Sequence, residues 1–318
     1  MGYALKSLYL KQKIHIGGPW SSFNFDEVNP EFILSKFYGK AGHPFQMILL
    51  LQMDCAIIDE CVVMPWMREI NHLMGTVDRY TTGSMSVHDI DFKKYDFVMV
   101  EDAILDASII KNNPNTLFAY ACAEHFDAKY SDVYDVFLQH IVNQPRRHSN
   151  EKFFTFPRDP DTMQKMFDVT NKEGYFLDNR DPDNYALHML NNNNSPVRNI
   201  SYYCPGNIIE GESKQYYRNL SKSKYAICLT RRHGQFFHDA ASLNTVCIGQ
   251  TSNNNNYFLH PDMICDSIDC VQNNIATLEH NTDYYNSIVN WQINNINNLT
   301  NEFLSTLKQE IENKRENQ

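Results

Sequence analysis

The chain has 318 residues, a formal charge of -10, 42% hydrophobic residues and 13% aromatic residues. That balance excludes a disordered or collagen-like chain, and it weighs against a surface that tracks nucleic acid along its whole length, which would be basic. No transmembrane helix is predicted, because no apolar run is long enough, and the residues after Met1 lack the apolar core of a signal peptide. The 8 cysteines sit mostly inside apolar runs with no Cys-x-x-Cys pair, so buried free thiols in a reducing cytoplasm are expected.

In chain order, the first half reads as apolar strands that run into glycine or polar residues. Ile14–Ile16 leads into Gly17-Gly18-Pro19, Tyr95–Val100 into Glu101-Asp102, Leu117–Ala123 into Glu124-His125, and Val136–Val142 into Asn143. The runs are near-continuous rather than alternating, as in parallel strands covered on both faces. Between them, Met47–Met53 reads as helix, while Cys55–Ile58 and Cys61–Met64 are candidate strands. The polar stretch Asn143–Asn150 marks a boundary, giving a first Rossmann-like unit over 1–147.

A second α/β series follows over 148–280. Phe153–Phe156 is predicted as strand, Asp159-Pro160 opens a helix to Phe167, and Tyr175–Leu177 is strand. Asp181-Pro182 opens a helix to about Leu190, and Ile200–Cys204 is strand. Then come helix Ser213–Lys222, strand Tyr225–Leu229, short helix Phe236–Leu243 and strand Thr245–Gly249. Residues 281–318 read as a C-terminal helical segment, with Ile288, Trp291, Leu299, Phe303, Leu307 and Ile311 on one face and Asn295 as its polar member. The fold class is therefore α/β, with two Rossmann-like domains facing a cleft and a long C-terminal helix.

The densest chemical signal lies between Ser213 and Arg232. Lys214, Arg218, Lys222, Lys224, Arg231 and Arg232 fall there without one Asp or Glu, in an acidic protein. Arg231 and Arg232 follow a predicted buried strand, and open α/β sheets bind ligands beyond the carboxyl ends of their strands. A guanidinium there grips phosphate oxygens in a fork; Gly234 allows close backbone approach, and the following helix adds amide donors. His233 is a further phosphate donor. Asp239, in the first turn of that helix, is either an acceptor for ribose hydroxyls or a carboxylate serving the helix dipole. Arg158 either faces the cleft or lies on the surface.

For proton transfer the candidates are His125 with Asp127, which a turn can bring together, and Asp102 at the end of the preceding strand. Gly17 and Gly18 form a weak nucleotide-loop signal without the dinucleotide fingerprint. No metal site is expected, since the His residues form no ligand cluster, and neither a Walker loop nor a Gly-x-Ser-x-Gly elbow is present.

Residues Tyr216 to Ile248, YYRNLSKSKYAICLTRRHGQFFHDAASLNTVCI, run as helix, strand, glycine turn, acidic helix and small-residue strand. In this the chain resembles glycosyltransferases of the two-Rossmann-domain, or GT-B, class. The resemblance implies a nucleoside-diphosphate sugar as co-substrate, no separate cofactor, and diphosphate contacts from Arg231 or Arg232. It implies that Asp239 stands against ribose or sugar, with the donor on the second domain and an unidentified acceptor hydroxyl entering through the first. The Glu-x7-Glu pattern of many retaining members is absent, which leaves the stereochemical outcome open. Two other readings stay in view. One is a DNA-modifying glycosyltransferase acting on a hydroxymethylated base, with duplex DNA as partner; the other is a non-catalytic α/β binding or assembly protein.

Overall fold

The computed structural model describes residues 5–12, 42–58, 86–101, 105–122, 133–139, 151–153, 157–177, 212–229, 236–251 and 259–317. The chain divides into two units. The first holds Met1–Phe156 together with Glu302–Gln318, and the second holds Pro157–Asn301.

In the first unit, six strands form one sheet: β1 (Ser7–Gln12), β2 (Asp54–Ile58), β3 (Phe97–Glu101), β4 (Leu117–Cys122), β5 (Val136–Gln139) and β6 (Glu151–Phe153). Their order is β2-β1-β3-β4-β5-β6 and every pairing is parallel. Parallel pairing demands cover on both faces, and the residues supply it. Leu8, Leu10, Val98, Val100, Phe118, Tyr120 and Phe137 join one apolar cluster with Ile109 and Ile110 of helix α2 (Ala107–Lys111). The alternate residues Tyr9, Phe97, Met99 and Ala119 point the other way and are equally buried. Helix α1 (Gly42–Leu51) leads directly into β2, as Met47–Met53 suggested.

The first described strand is Ser7–Gln12; the Ile14–Ile16 run lies outside the described residues. One strand expectation shifts. The Phe153 strand was expected to start the second series, but it spans Glu151–Phe153 and pairs with β5 in the first sheet. Chain order does not reveal which sheet an isolated three-residue strand joins.

The second unit carries β7 (Glu173–Leu177), β8 (Ser223–Cys228) and β9 (Val246–Gly249), again parallel, in the order β7-β8-β9. Its helices are α3 (Pro160–Met166), α4 (Glu212–Lys222), α5 (Phe236–Ser242), α6 (Ile268–His280) and the start of the 35-residue α7 (Thr282–Glu316). Asp159 caps α3 as its sequence predicts, accepting the Thr162 N–H at 3.0 Å with proline at the first helical turn. A Schellman turn ends α5: Thr245 N–H reaches Ala240 O, Asn244 N–H reaches Ala241 O, and Asn244 takes the left-handed conformation at φ 58°. Gly249 is required where it stands, because a Cβ there would meet the Cys228 carbonyl oxygen at 1.9 Å. The expected elements at 182–190 and 200–204 lie outside the described residues.

Helix α7 differs from its predicted face by one position. Ile288, Gln292, Ile296 and Thr300 are buried, while Trp291, Asn295 and Leu299 are half-buried. Two polar residues are tolerated inside because each has a partner. Gln292 accepts the Cys247 N–H, and Thr300 both accepts from and donates to the Arg158 backbone. Farther along, Phe303, Leu307 and Ile311 are buried as expected. The final turn is held by ion pairs from Lys314 to Asp135 and from Arg315 to Asp96.

The free-thiol expectation is corrected in part. Cys228 and Cys247 are buried thiols outside any disulfide, but Cys265 and Cys270 are joined by one. Five residues apart, they meet because the loop before α6 folds Cys265 back against the first turn of that helix.

Candidate functional site

In open parallel sheets the carboxyl ends of the strands, and above all the point where strand order reverses, are where ligands bind. In the first sheet the chain steps outward from β1 to β2 and then returns to the other side of β1 as β3. The reversal therefore lies between β1 and β3. Gly17 and Gly18 follow β1 in the chain, Asp102 directly follows β3, and His125 and Asp127 follow β4, which neighbours β3. All five residues lie outside the described residues themselves. The strands that lead to them are adjacent and end on one edge.

In the second sheet, the basic run of the sequence is divided. Lys222 and Lys224 lie at the amino end of β8, where acids from distant segments meet them: Lys222 pairs with Asp168, and Lys224 pairs with Glu279 at 2.8 Å. Glu279 also accepts from Tyr225 Oη at 2.6 Å. Partial burial raises its pKa, but the Lys224 and Tyr225 bonds outweigh this and leave the carboxyl below its ordinary value. Arg218 is exposed on α4. Arg231, Arg232, His233 and Gly234 fall in the connection from the carboxyl end of β8 to α5, outside the described residues. A six-residue strand spans roughly 20 Å, so Lys222 and Lys224 stand at the far end of β8 from the end at which the connection carrying Arg231 and Arg232 begins.

The helix entered from that connection is anchored by buried polar chemistry. Asp239 is fully buried. Its carboxylate accepts from Tyr216 Oη at 3.2 Å and Tyr217 Oη at 3.3 Å, both on α4. The Arg158 guanidinium, 1% exposed, stands 3.7 Å away. Burial pulls the Arg158 pKa down, while Asp239 and the phenols of Tyr217 and Tyr216 push it up. Arg158 is thus not the surface residue that one reading allowed; it lies inside the second unit. Its backbone is gripped on both sides by Thr300 of α7, at 3.0 and 3.1 Å.

Aromatic rings surround the group. Tyr217 stacks on Phe167 with centroids 5.5 Å apart, Tyr216 meets Phe176 of β7 edge-on at 5.6 Å, and Phe176 contacts Phe236 of α5 at 5.7 Å. His238 is buried beside them in the same helical turn as Asp239. The arrangement fixes the first turn of α5, and with it the chain just after Gln235, relative to β7 and α4.

Sequence reasoning singled out Asp239 and Arg158 separately, but neither their contact nor the roles of Tyr216 and Tyr217. The Tyr216-Tyr217 pair has the spacing of neighbours on one helix and carried no chemical flag by itself. Lys172 was missed as well. The residue is half-buried, and its ammonium donates to Ser221 O at 2.7 Å, Ser223 O at 3.1 Å and Thr245 Oγ1 at 2.9 Å. Burial, with Lys222 nearby, pulls its pKa to about 7 against the opposing charge of Asp168. Among the described residues no group of three or more His, Cys, Asp or Glu side chains could hold a metal ion. Nor is any helix among them long and apolar enough to cross a membrane.

No family model matches the chain, and no curated protein matches it. Solved structures do. A Neisseria meningitidis UDP-GlcNAc 2-epimerase bound to UDP-GlcNAc aligns over 96% of this chain and 100% of its own, with 11% identity and a TM-score of 0.45. T4 phage BGT in complex with UDP and Mn2+ aligns over 96% and 99%, with 10% identity and a TM-score of 0.45. Anabaena HepE in complex with UDP and glucose aligns over 96% and 99%, with 9% identity and a TM-score of 0.43. The likeness is one of chain fold and transfers no residue role.

Proposed function

We propose that this protein is a glycosyltransferase that moves a sugar from a nucleoside-diphosphate donor to an acceptor hydroxyl. The observation that supports the reading is the pair of elements that flank Arg231 and Arg232 in the chain: the carboxyl end of the buried parallel strand β8, and helix α5, whose first turn is locked by Asp239, Tyr216 and Tyr217. Phosphate recognition needs positive charge held without reorganisation, and an anchored strand and helix on either side of the connection favour it. In this reading Arg231 and Arg232 hold the diphosphate and offset the charge that builds on it as the glycosidic bond breaks. His233 and the backbone at Gly234 complete the cradle.

Of the two roles open to Asp239, ribose acceptor or carboxylate serving its helix, the surroundings favour the second. Its oxygens are engaged by protein groups, so it steadies α5 and acts on the donor only through that helix. In the first unit, Asp102, His125 and Asp127 are the candidates for deprotonating the acceptor, with Gly17-Gly18 following β1 in the chain. Two adjacent strand ends there allow an imidazole and a carboxylate to converge.

The test is a thermal-stability screen against nucleoside diphosphates and their sugar conjugates. A binding donor raises the melting temperature in a concentration-dependent way. Stabilisation by nucleoside diphosphates, lost in Arg231→Ala and Arg232→Ala, is the expected result. No stabilisation at millimolar ligand by a folded chain would leave the non-catalytic binding or assembly reading. Binding to duplex DNA that weakens steeply with salt would favour the DNA-modifying reading, and absence of binding at low salt would remove it.

A further inference from the structure

Cys265 and Cys270 flank Asp266 and the helix cap Ser267, and their sulfurs are bonded with the Cα atoms 5.5 Å apart. The two cysteines have different surroundings. Cys265 is 1% exposed, whereas Cys270 is half-buried in the first turn of the 13-residue helix α6. Asn274, one turn further along α6, donates its side-chain amide to Cys265 Sγ at 3.3 Å and to the Asp262 carbonyl at 2.8 Å.

The segment just before the disulfide completes the sheet. Ile264 forms a parallel bridge with Gly249, the last residue of β9, and the Cys265 N–H donates to Gly249 O at 2.8 Å.

We propose that Cys265–Cys270 is a reversible thiol-exchange site that controls this last rung of the second sheet. The reductant is a small-molecule thiol of the glutathione class. Its thiolate attacks Cys270 Sγ, the more accessible sulfur. A new S–S bond forms between the small thiol and Cys270, and the Cys265–Cys270 bond breaks. The electron pair departs on Cys265 Sγ, where the Asn274 amide stabilises the thiolate. A second small thiolate then attacks the small-molecule sulfur of the mixed disulfide and expels Cys270 as a thiolate in the first turn of α6, where the helix dipole favours it. Two small thiols become one small disulfide, two electrons pass to the protein, and the two cysteine sulfurs take up the two protons released.

A disulfide that closes so short a loop constrains the unfolded chain less than a long-range one, so exchange is not locked out by stability. Reduction removes the covalent tie between α6 and the Asp262–Cys265 segment. What remains are the Asn274 bonds and the Gly249 rung, so the Cys265 amide opens more often. The inference does not depend on the nucleotide reading.

The experiment equilibrates the full-length protein in buffers of varied reduced-to-oxidised glutathione ratio, traps free thiols by alkylation, and counts them by mass spectrometry. Amide hydrogen exchange at Cys265 is followed in the same buffers. Cys265 and Cys270 should become alkylated together in the folded protein as the buffer becomes reducing. The buried Cys228 and Cys247 should stay unmodified. Exchange at the Cys265 amide should rise about ten-fold on reduction. Cys270→Ser should show the faster exchange in every buffer. A pair that stays oxidised until the chain unfolds would make it a permanent staple and overturn the proposal. A pair that never oxidises would overturn it too. Exchange at Cys265 that ignores redox state, or that is as slow in Cys270→Ser as in the oxidised protein, would sever the link to the sheet.

Discussion

The two ends of strand β8 carry the same sign of charge in the sequence and meet different fates in the fold. At the amino end, Lys222 and Lys224 are matched by Asp168 and Glu279, and Lys172 fills the remaining space by donating to the carbonyls of Ser221 and Ser223. At the carboxyl end, Arg231 and Arg232 enter the connection to a helix whose only described carboxylate, Asp239, is already engaged by Arg158 and two phenols. One cluster closes the bottom of a sheet; the other follows, in the chain, the strand end at which parallel sheets bind ligands. A run of like charge is therefore not a single surface when a buried strand passes through its middle.

The largest expected effect breaks the carboxyl end. Asp239→Ala leaves the Arg158 guanidinium buried without its carboxylate, which should cost about 3–5 kcal/mol in a denaturant titration. Next in size, removing either arginine of the connection should weaken nucleoside-diphosphate affinity by about ten- to hundred-fold in calorimetry with little change in stability, because a charge-assisted hydrogen bond is worth about 1.5–3 kcal/mol.

The amino end is tested by pH. Burial lowers the Lys172 pKa from 10.5 to about 7. Between these values the unfolded chain binds a proton that the folded chain lacks, so stability rises with pH across that window and levels off at its lower value below about 7, where both states hold the proton. Relative to Lys172→Met, the wild-type protein should gain roughly 1 kcal/mol per pH unit between pH 7 and 10 at most. Equal slopes in the two proteins would show that the ammonium stays charged throughout, held by its three oxygen acceptors. The smallest effect belongs to Lys224→Ala. It removes a partly exposed pair and should change stability by less than about 1 kcal/mol and donor affinity not at all.

Much of the architecture was legible in the sequence because parallel strands must be apolar on both faces. Phe97–Val100 and Tyr225–Cys228 read as buried runs and are fully buried. Helix starts were equally plain where capping chemistry is local, as at Asp159-Pro160. The predicted Phe153–Phe156 strand was placed in the second series, whereas Glu151–Phe153 pairs in the first sheet, because sheet membership depends on a partner strand, not on local composition. The buried face of α7 was misjudged at Gln292 and Thr300, since a polar residue reads as solvent-facing until its hydrogen-bond partner is known. For the site, Asp239 was visible as an acid in a first helical turn. Its engagement by Arg158, 81 positions away, was not, because no periodicity connects residues that meet only through packing.

The sequence by itself determined the two α/β series, the long terminal helix and the basic connection after β8, because hydrophobic period, capping and charge are properties of neighbours in the chain. Only the tertiary structure decided which charges are spent inside the protein and which sulfurs are joined. The energy of a buried charge depends on what lies within a few ångströms in space, and the residues that supply it come from segments far apart along the backbone.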